Sequence, residues 1–182
     1  METATKTTTK WNLDPTHSEI GFKVKHMMIT NVSGSFGKFD VKAETEGNDF
    51  SKASIDFTAD ISSITTNNAD RDAHLKSADF FDSENHPELK FVSTRMEKKD
   101  DDEFVLHGDL TIKGISKPVK LDVEFGGIGK DPWGNEKAGF TISGKIKRTD
   151  WGLNWNAALE TGGVLVSEEV KLFAEVQLVR AV

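Results

Sequence analysis

The chain has 182 residues, of which 29% are charged and 36% hydrophobic, and its formal net charge is -7. This composition is typical of one soluble globular domain with a sizeable core, and it excludes both a disordered chain and a bundle of membrane helices. The absence of cysteine excludes disulfides, thiolate nucleophiles and cysteine metal sites, and the acidic balance without a basic stripe argues against nucleic acid as a partner.

The N-terminal segment, residues 1–10, is polar and rich in threonine. Because nothing in it would pack against a core, we expect a flexible tail there and a single domain over residues 11–182. The segment lacks the apolar stretch of a secretory signal, so the chain as given is expected in the cytoplasm, and a periplasmic location would require that a signal was removed. No apolar run approaches the ~18 residues of a membrane-spanning helix.

Six segments alternate apolar and polar residues with a period of two, the pattern of a β-strand that has one buried and one solvated face. Their apolar faces, in chain order, are Ile20, Phe22, Val24, His26 and Met28; Ile55, Phe57, Ala59 and Ile61; Phe104, Leu106, Gly108, Leu110 and Ile112; Val119, Leu121, Val123 and Phe125; Phe140, Ile142, Gly144 and Ile146; and Val170, Leu172, Ala174, Val176 and Leu178. Together with two less regular segments they predict about eight strands.

The two less regular segments need an interruption of the alternation. Residues 34–41 keep their pattern with a one-residue slip near Gly37, which predicts a β-bulge. Over residues 89–96 two alternations compete, one that buries Phe91 and one that buries Met96, so the inward face of this strand stays open.

Residues 67–76 break the strand pattern and predict a short helix, capped by Thr66 or Asn67. A longer glycine-rich loop is expected from Gly126 to Asn135. Eight alternating strands with short connections favour an antiparallel sheet that closes into a barrel, whose interior holds its own side chains or one small ligand. A two-sheet sandwich is the main alternative. An outer-membrane barrel with its apolar face outward is the other, and the absence of tyrosine from the chain argues against its aromatic girdle.

Three histidines raise the question of a polar site. Asp70 and His74 lie at i and i+4 on the predicted helix, with His86 further along the chain, and such a set is compatible with a transition metal. An ordinary helical Asp–His pair explains the spacing equally well. His26 lies on an apolar strand face, where it is either a core histidine with a backbone partner or a contact for a ligand head group.

Two arginines precede acidic residues. Arg71 and Asp72 are interpreted either as an internal salt bridge across the barrel mouth or, for Arg71, as a planar fork for an anionic head group. Arg148, which lies close to Asp150, is expected to form a structural ion pair and to close a loop. The chain has no nucleophile elbow, phosphate loop or supported catalytic triad, so we predict no enzyme and no metal site.

The chain resembles the YceI-like family over about residues 11–180. The matching segments are Trp11–Ser18, Ile20–Phe22, Val24–His26, Gly34–Phe36, Ser63–Thr66, Arg71–Asp82, His86–Glu88, Phe91, Ser93, Gly108–Gly114 and Arg148–Leu153. The resemblance implies an all-β fold, an extended eight-stranded antiparallel lipocalin-like barrel with one short helix. It also implies binding of a polyisoprenoid, an isoprenoid quinone or a fatty amide in the bore, often by a homodimer, with no settled enzymatic activity and no cofactor besides the lipid.

Elementary energetics agree with that implication. Burial of a CH₂ group contributes ~0.8 kcal/mol, so a five-carbon prenyl unit contributes up to about 4 kcal/mol and the bore would select the tail more than the head group. The predicted barrel-lining residues are Phe22, Val24, His26, Phe36, Phe57, Phe91, Leu106, Leu121 and Ile142, and the predicted head-group or barrel-mouth residues are Arg71, Asp72 and His74. The alternative functions are a metal-dependent enzyme and a protein-interaction module of the stress response.

Overall fold

A computed structural model of the chain describes residues 8–156, 159 and 165–181. Within these residues eleven strands form one antiparallel sheet: β1 (Thr8–Leu13), β2 (Glu19–His26), β3 (Thr30–Phe36), β4 (Phe39–Glu46), β5 (Asp49–Asp60), β6 (Ile64–Thr65), β7 (Glu88–Lys98), β8 (Glu103–Ile112), β9 (Ile115–Lys130), β10 (Glu136–Lys147) and β11 (Val166–Arg180). One helix, α1 (Ala69–Lys76), and three 3₁₀ turns, Pro15–His17, Ile61–Ser63 and Arg148–Trp151, complete this part of the chain.

The sheet closes because β11 pairs with β1 as well as with β10. The ring runs β1-β4-β5-β7-β8-β9-β10-β11 and returns to β1, with Leu13 opposite Leu178. Strand β2 follows β1 after a short turn and pairs with the first half of β11, while β3 and β4 run along β2 and β1. Eight strand positions therefore enclose one interior. The predicted antiparallel barrel is confirmed, and the two-sheet sandwich is wrong.

The apolar faces predicted from the alternation point into the barrel. The sequence leaves open which face of β7 points inward. In the structure the register of β7 against β8 shifts between Ser93 and Arg95. Phe91 before the shift and Met96 after it are both buried, whereas Val92 between them is 51% exposed. A bulge of this kind turns the strand by one residue, so that both competing patterns are correct on their own side of it.

Three expected boundaries need correction. Residues 8–10, assigned to the flexible tail, begin β1 and pair with β4, while residues 1–7 lie outside the described part of the chain. Met28 is not on a strand face, because β2 ends at His26 and the chain turns back there. The helix begins at Ala69 rather than residue 67, and its N-cap is Asn68.

The glycine-rich loop is also shorter than expected. Strand β9 continues to Lys130 and β10 starts at Glu136, so that the connection is a tight turn built on Asp131. Positive φ at Gly127 accommodates the accompanying register shift near Gly139. Near Gly37 the expected bulge is a true break between β3 and β4, where the Gly37 amide donates to the Ser63 carbonyl.

An ionic cluster fastens the joint between β1 and β2 to β10. The Asp14 carboxylate accepts a hydrogen bond from Lys137 Nζ at 2.6 Å and another from Thr16 Oγ1 at 2.7 Å, and it lies 2.8 Å from His17 Nδ1. The Lys137 hydrogen bond is the main reason that the pKa of the Asp14 carboxyl lies far below its ordinary value. Among the described residues no helix combines the length and the hydropathy needed to cross a membrane.

Candidate functional site

The barrel encloses a cavity of about 630 Å³ whose walls are almost entirely apolar. All nine predicted barrel-lining residues lie on its wall: Phe22, Val24, His26, Phe36, Phe57, Phe91, Leu106, Leu121 and Ile142. They come from β2, β3, β5, β7, β8, β9 and β10, so the wall extends around most of the barrel. Contact of these side chains with a ligand stays a prediction.

Other wall residues were not singled out from the sequence. Strand β11 contributes Val170, Leu172, Ala174, Val176 and Leu178, which the alternation in the sequence places on one apolar face. Phe80, Phe81, Leu153 and Trp155 also line the cavity, but they lie in irregular segments. No periodic signal identifies these four, because their position depends on the path of the loops and not on a strand face.

Polar wall residues collect at one end of the cavity, here called the mouth. They are Lys25, His26, Thr66, Asn68, Asp70, Arg71, His74 and Arg148. Helix α1 lies at this end, and its N-terminus is fixed by Asn68, whose side chain accepts a hydrogen bond from the Arg71 amide at 3.0 Å. This set holds one lysine, two arginines and one carboxylate. Two further carboxylates, Asp72 and Asp79, bind Thr66 and His74 from outside the wall.

Arg71 and Asp72 both bind Thr66. The Arg71 guanidinium donates to Thr66 Oγ1 at 2.8 Å and to its carbonyl at 2.7 Å, while the Asp72 carboxylate accepts from the Thr66 amide at 2.8 Å. The expected direct salt bridge between them is therefore replaced by a shared, buried threonine. Arg71 is on the cavity wall, whereas Asp72 is not among the wall residues and acts from behind Thr66.

His74 is held by a carboxylate and two aromatic rings. Its Nε2 lies 2.9 Å from Asp79 Oδ2, and its ring centroid is 5.1 Å from that of Phe80 and 4.6 Å from that of Trp155. The partner of His74 is thus Asp79 and not Asp70. The ring contact between His74 and Trp155 joins α1 to the segment that follows β10, so that His74 helps to cover the mouth.

Arg148 is the wall residue whose environment differs most from expectation. It is 5% exposed and donates to the carbonyls of Leu153, Trp155, Val166 and Ser167 at 2.5 to 3.3 Å. The expected ion pair with Asp150 is wrong. Burial lowers the pKa of Arg148 from its usual value, and the guanidinium holds the two chain segments that border the mouth.

The residues proposed for a metal site do not converge. His74 binds Asp79, and His86 lies against the turn between β8 and β9, where a Cβ added to Gly114 would be 3.1 Å from the imidazole. Across residues 8–156, 159 and 165–181 no three His, Asp or Glu side chains are grouped to hold a metal ion. The arrangement that the metal-enzyme alternative requires is absent from this part of the chain.

An aromatic cluster lies at the opposite end of the cavity. This floor cluster consists of Trp11, Phe50, Phe104, Phe125 and Phe140. Phe50 is central, with its ring centroid 5.2 Å from Trp11, 5.3 Å from Phe125 and 4.9 Å from Phe140. Phe140 is the member of the cluster that faces the cavity. The bore thus has a polar mouth, apolar walls and an aromatic floor.

A family model described as the YceI-like domain matches residues 11–178. A UPF0312 protein of Staphylococcus epidermidis is 44% identical over 170 residues, which cover 93% of this chain and 96% of that protein. A UPF0312 protein of Staphylococcus aureus is 42% identical over the same length and coverage.

Solved structures share the barrel. A YceI protein of Campylobacter jejuni has a TM-score of 0.74 and 34% identity, with 100% of both chains covered. BcnA of Burkholderia cenocepacia has a TM-score of 0.77 at 21% identity, covering 91% of this chain and 98% of its own. A polyisoprenoid-binding domain of Saccharophagus degradans has a TM-score of 0.66 at 13% identity, with 94% and 98% covered. At these last two identities the likeness is one of fold.

Proposed function

The chain belongs to the YceI-like domain family, and from that premise we propose that it binds one long apolar lipid inside its barrel. The guest is a polyisoprenoid, an isoprenoid quinone or a fatty amide. The observation that carries the proposal is the apolar cavity of about 630 Å³, which falls within the range of roughly 300–1,000 Å³ that is usual for small-molecule sites. The polyisoprenoid-binding domain among the structural neighbours supports this ligand class.

The apolar wall supplies the affinity. Each methylene that leaves water for the bore contributes ~0.8 kcal/mol, and ordering of the flexible tail offsets part of that gain. Phe22, Phe91 and Leu106 are less than one tenth exposed and belong to the continuous hydrophobic core, so the wall is held in place before a guest arrives. A preformed cavity avoids the free-energy cost of opening one.

The head group lies at the mouth. Arg71 and His74 lie on the cavity wall and are the candidates for direct contact with the head group. Asp72 acts indirectly, because its carboxylate holds Thr66 in place. The Arg71 guanidinium on the cavity wall favours a head group that is anionic or that accepts hydrogen bonds, such as a phosphate, a carboxylate or a quinone carbonyl. Binding and carriage, not catalysis, are the activity that we propose, and we propose a homodimer as the working form.

Organic extraction of protein purified without detergent, followed by mass spectrometry, tests the proposal. We expect about one apolar lipid per wild-type chain. Phe91→Asp places a charge on the wall and should abolish the lipid signal, whereas Val92→Asp, one residue away on the outer face, should keep it. Leu121→Asp, at a half-buried wall position, repeats the test with less effect on folding. Lipid-free wild-type protein, or equal lipid in all variants, would overturn the proposal.

A further inference from the structure

The floor cluster of Trp11, Phe50, Phe104, Phe125 and Phe140 joins strands that are not neighbours in the barrel. Phe50 comes from β5, while Phe125 and Phe140 come from β9 and β10, and the strands β7 and β8 lie between them in the ring. Ring contacts of 5.3 and 4.9 Å between these strands therefore cross the interior of the barrel. The cluster is a partition across the bore and not a patch on one wall.

The partition is tightly packed. Trp11, Phe50, Phe104 and Phe140 are each less than 8% exposed. Phe125 and Phe140 are directly opposite each other on β9 and β10, and their rings stack at 5.2 Å with an interplanar angle of 26°. The Trp11 indole is fixed from behind by a hydrogen bond of 2.9 Å to Thr45 Oγ1. Insertion of even one extra methyl group into an interior packed in this way costs free energy, because the side chains have little room to move.

The cavity reaches this partition. Of the five aromatic residues, Phe140 lies on the cavity wall, and the other four are not among its wall residues. Ile142, two residues nearer the mouth on the same face of β10, also lines the cavity. The end of an inserted tail would therefore meet the Phe140 ring after it passes Ile142.

We propose that the floor cluster sets the greatest tail length that the barrel accommodates, with Phe140 as the residue that stops the tail. This inference rests on the proposed function. A tail shorter than the bore gains about fourfold in affinity for each methylene it adds, the equivalent of ~0.8 kcal/mol. Once its end reaches Phe140, further carbons stay at the mouth in water, and the affinity no longer rises. The protein thus selects its guest by tail length as well as by polarity.

Titration with a homologous series of linear isoprenoid alcohols, from geraniol to solanesol, measures the length at which affinity stops rising. Phe140→Ala removes the ring, about six carbons in size, and should move that break to longer tails by about one prenyl unit. Ile142→Phe adds a ring above the floor and should move the break to shorter tails. Phe104→Leu changes the floor cluster at a residue that contacts Phe125, and it should leave the break at the wild-type tail length.

The outcomes separate the two proposals. If the wild-type protein binds none of the alcohols, the proposed function fails. If it binds them and the break stays at the same length in Phe140→Ala and Ile142→Phe, the floor has no part in selection and this inference is overturned. Should Phe140→Ala fail to fold, Phe140→Leu and Ile142→Phe still carry the test, because the first keeps most of the packing and the second leaves the floor intact.

Discussion

The indole of Trp155 stands edge-on to the imidazole of His74, with the ring centroids 4.6 Å apart and the planes at 86°. Phe80 completes the contact, at 5.5 Å from Trp155 and 5.1 Å from His74. These three rings belong to different segments that meet above the cavity, and all three residues line it. They form a cover over part of the mouth, which a guest of the proposed kind would have to pass beside or displace.

Replacement of Trp155 should therefore speed the release of the guest. Aromatic pairs of this geometry contribute about 0.5–1.5 kcal/mol each, so Trp155→Ala should raise the dissociation rate of a fluorescent isoprenoid by about tenfold in stopped-flow displacement. Trp133→Ala is the matched control, because Trp133 is 83% exposed in the turn after β9. Equal rates for the two variants would show that the three rings do not cover the route of release.

Arg148 should contribute strongly to stability, because its side chain is buried and bound to the backbone. Its guanidinium donates hydrogen bonds to four backbone carbonyls. When these bonds are lost, each buried carbonyl that no water reaches costs about 1–3 kcal/mol of stability. We expect Arg148→Met to lose at least about 2 kcal/mol in urea denaturation. Arg148→Lys should recover little, since an ammonium lacks the planar fork.

The exposed Arg95 provides the control for that loss. Its guanidinium lies 3.6 Å from Glu97 on the outer surface, and Arg95→Met should cost about 0.5 kcal/mol or less. A loss in Arg148→Met as small as in Arg95→Met would mean that the carbonyls find water and that Arg148 does not hold the mouth segments.

Position 108 has room only for a glycine, because the ring of Phe91 occupies the space that a side chain would need. A Cβ at this position would collide with the Phe91 ring and lie 2.6 Å from the Val92 carbonyl oxygen. Gly108→Ala should therefore push Phe91 into the cavity, with a loss of about 1–3 kcal/mol and a lower lipid content. Gly139→Ala, where a Cβ meets nothing within 4 Å, should change neither quantity. Comparable thermal midpoints for the two variants would contradict this view of the wall.

Acid should weaken the fastening between Asp14 and Lys137. Hydrogen bonding to Lys137 lowers the pKa of Asp14 in the folded protein, so the unfolded chain binds a proton at a higher pH than the folded chain. The stability that Asp14 contributes is then complete above its unfolded pKa of about 3.9 and is lost as the pH falls toward the folded value.

Urea midpoints measured at neutral pH and at successively lower pH test that expectation. Asp14→Asn should be less stable than the wild type at neutral pH and should lose less on acidification below about pH 4. Lys137→Met should flatten the curve in the same way, because it removes the same bond from the other side. Asp49 and Asp60 also have lowered pKa values, owing to hydrogen bonds from Ser51 and Ser62, so some acid sensitivity should persist. Parallel curves for wild type and Asp14→Asn would contradict the assignment.

The barrel wall is predictable from the sequence because the period of two is a property of the strand backbone. Phe22, Leu106 and Ile142 face the cavity for this reason alone, and no knowledge of their partners is needed to place them. The bulge on β7 marks the limit of that reasoning. An inserted residue reverses the faces, and the sequence shows it only as two competing alternations that do not locate the shift between Ser93 and Arg95.

The mouth is less predictable because its contacts are long-range and irregular. Arg148 binds loop and strand carbonyls up to 19 residues further along the chain. Because these acceptors are backbone groups, the sequence of side chains does not predict which of them a guanidinium binds. Asp79, not the helical Asp70, binds His74, because the chain turns back beyond α1. Thr66 joins Arg71 to Asp72 through hydrogen bonds that adjacency in sequence does not predict.

Native mass spectrometry of the undenatured wild-type protein tests the central claim most directly. We predict a mass above that of the chain by one apolar lipid per chain, released on collisional activation. A chain that carries no added mass, and that takes up none after incubation with isoprenoid alcohols, would contradict the claim that this cavity holds a lipid.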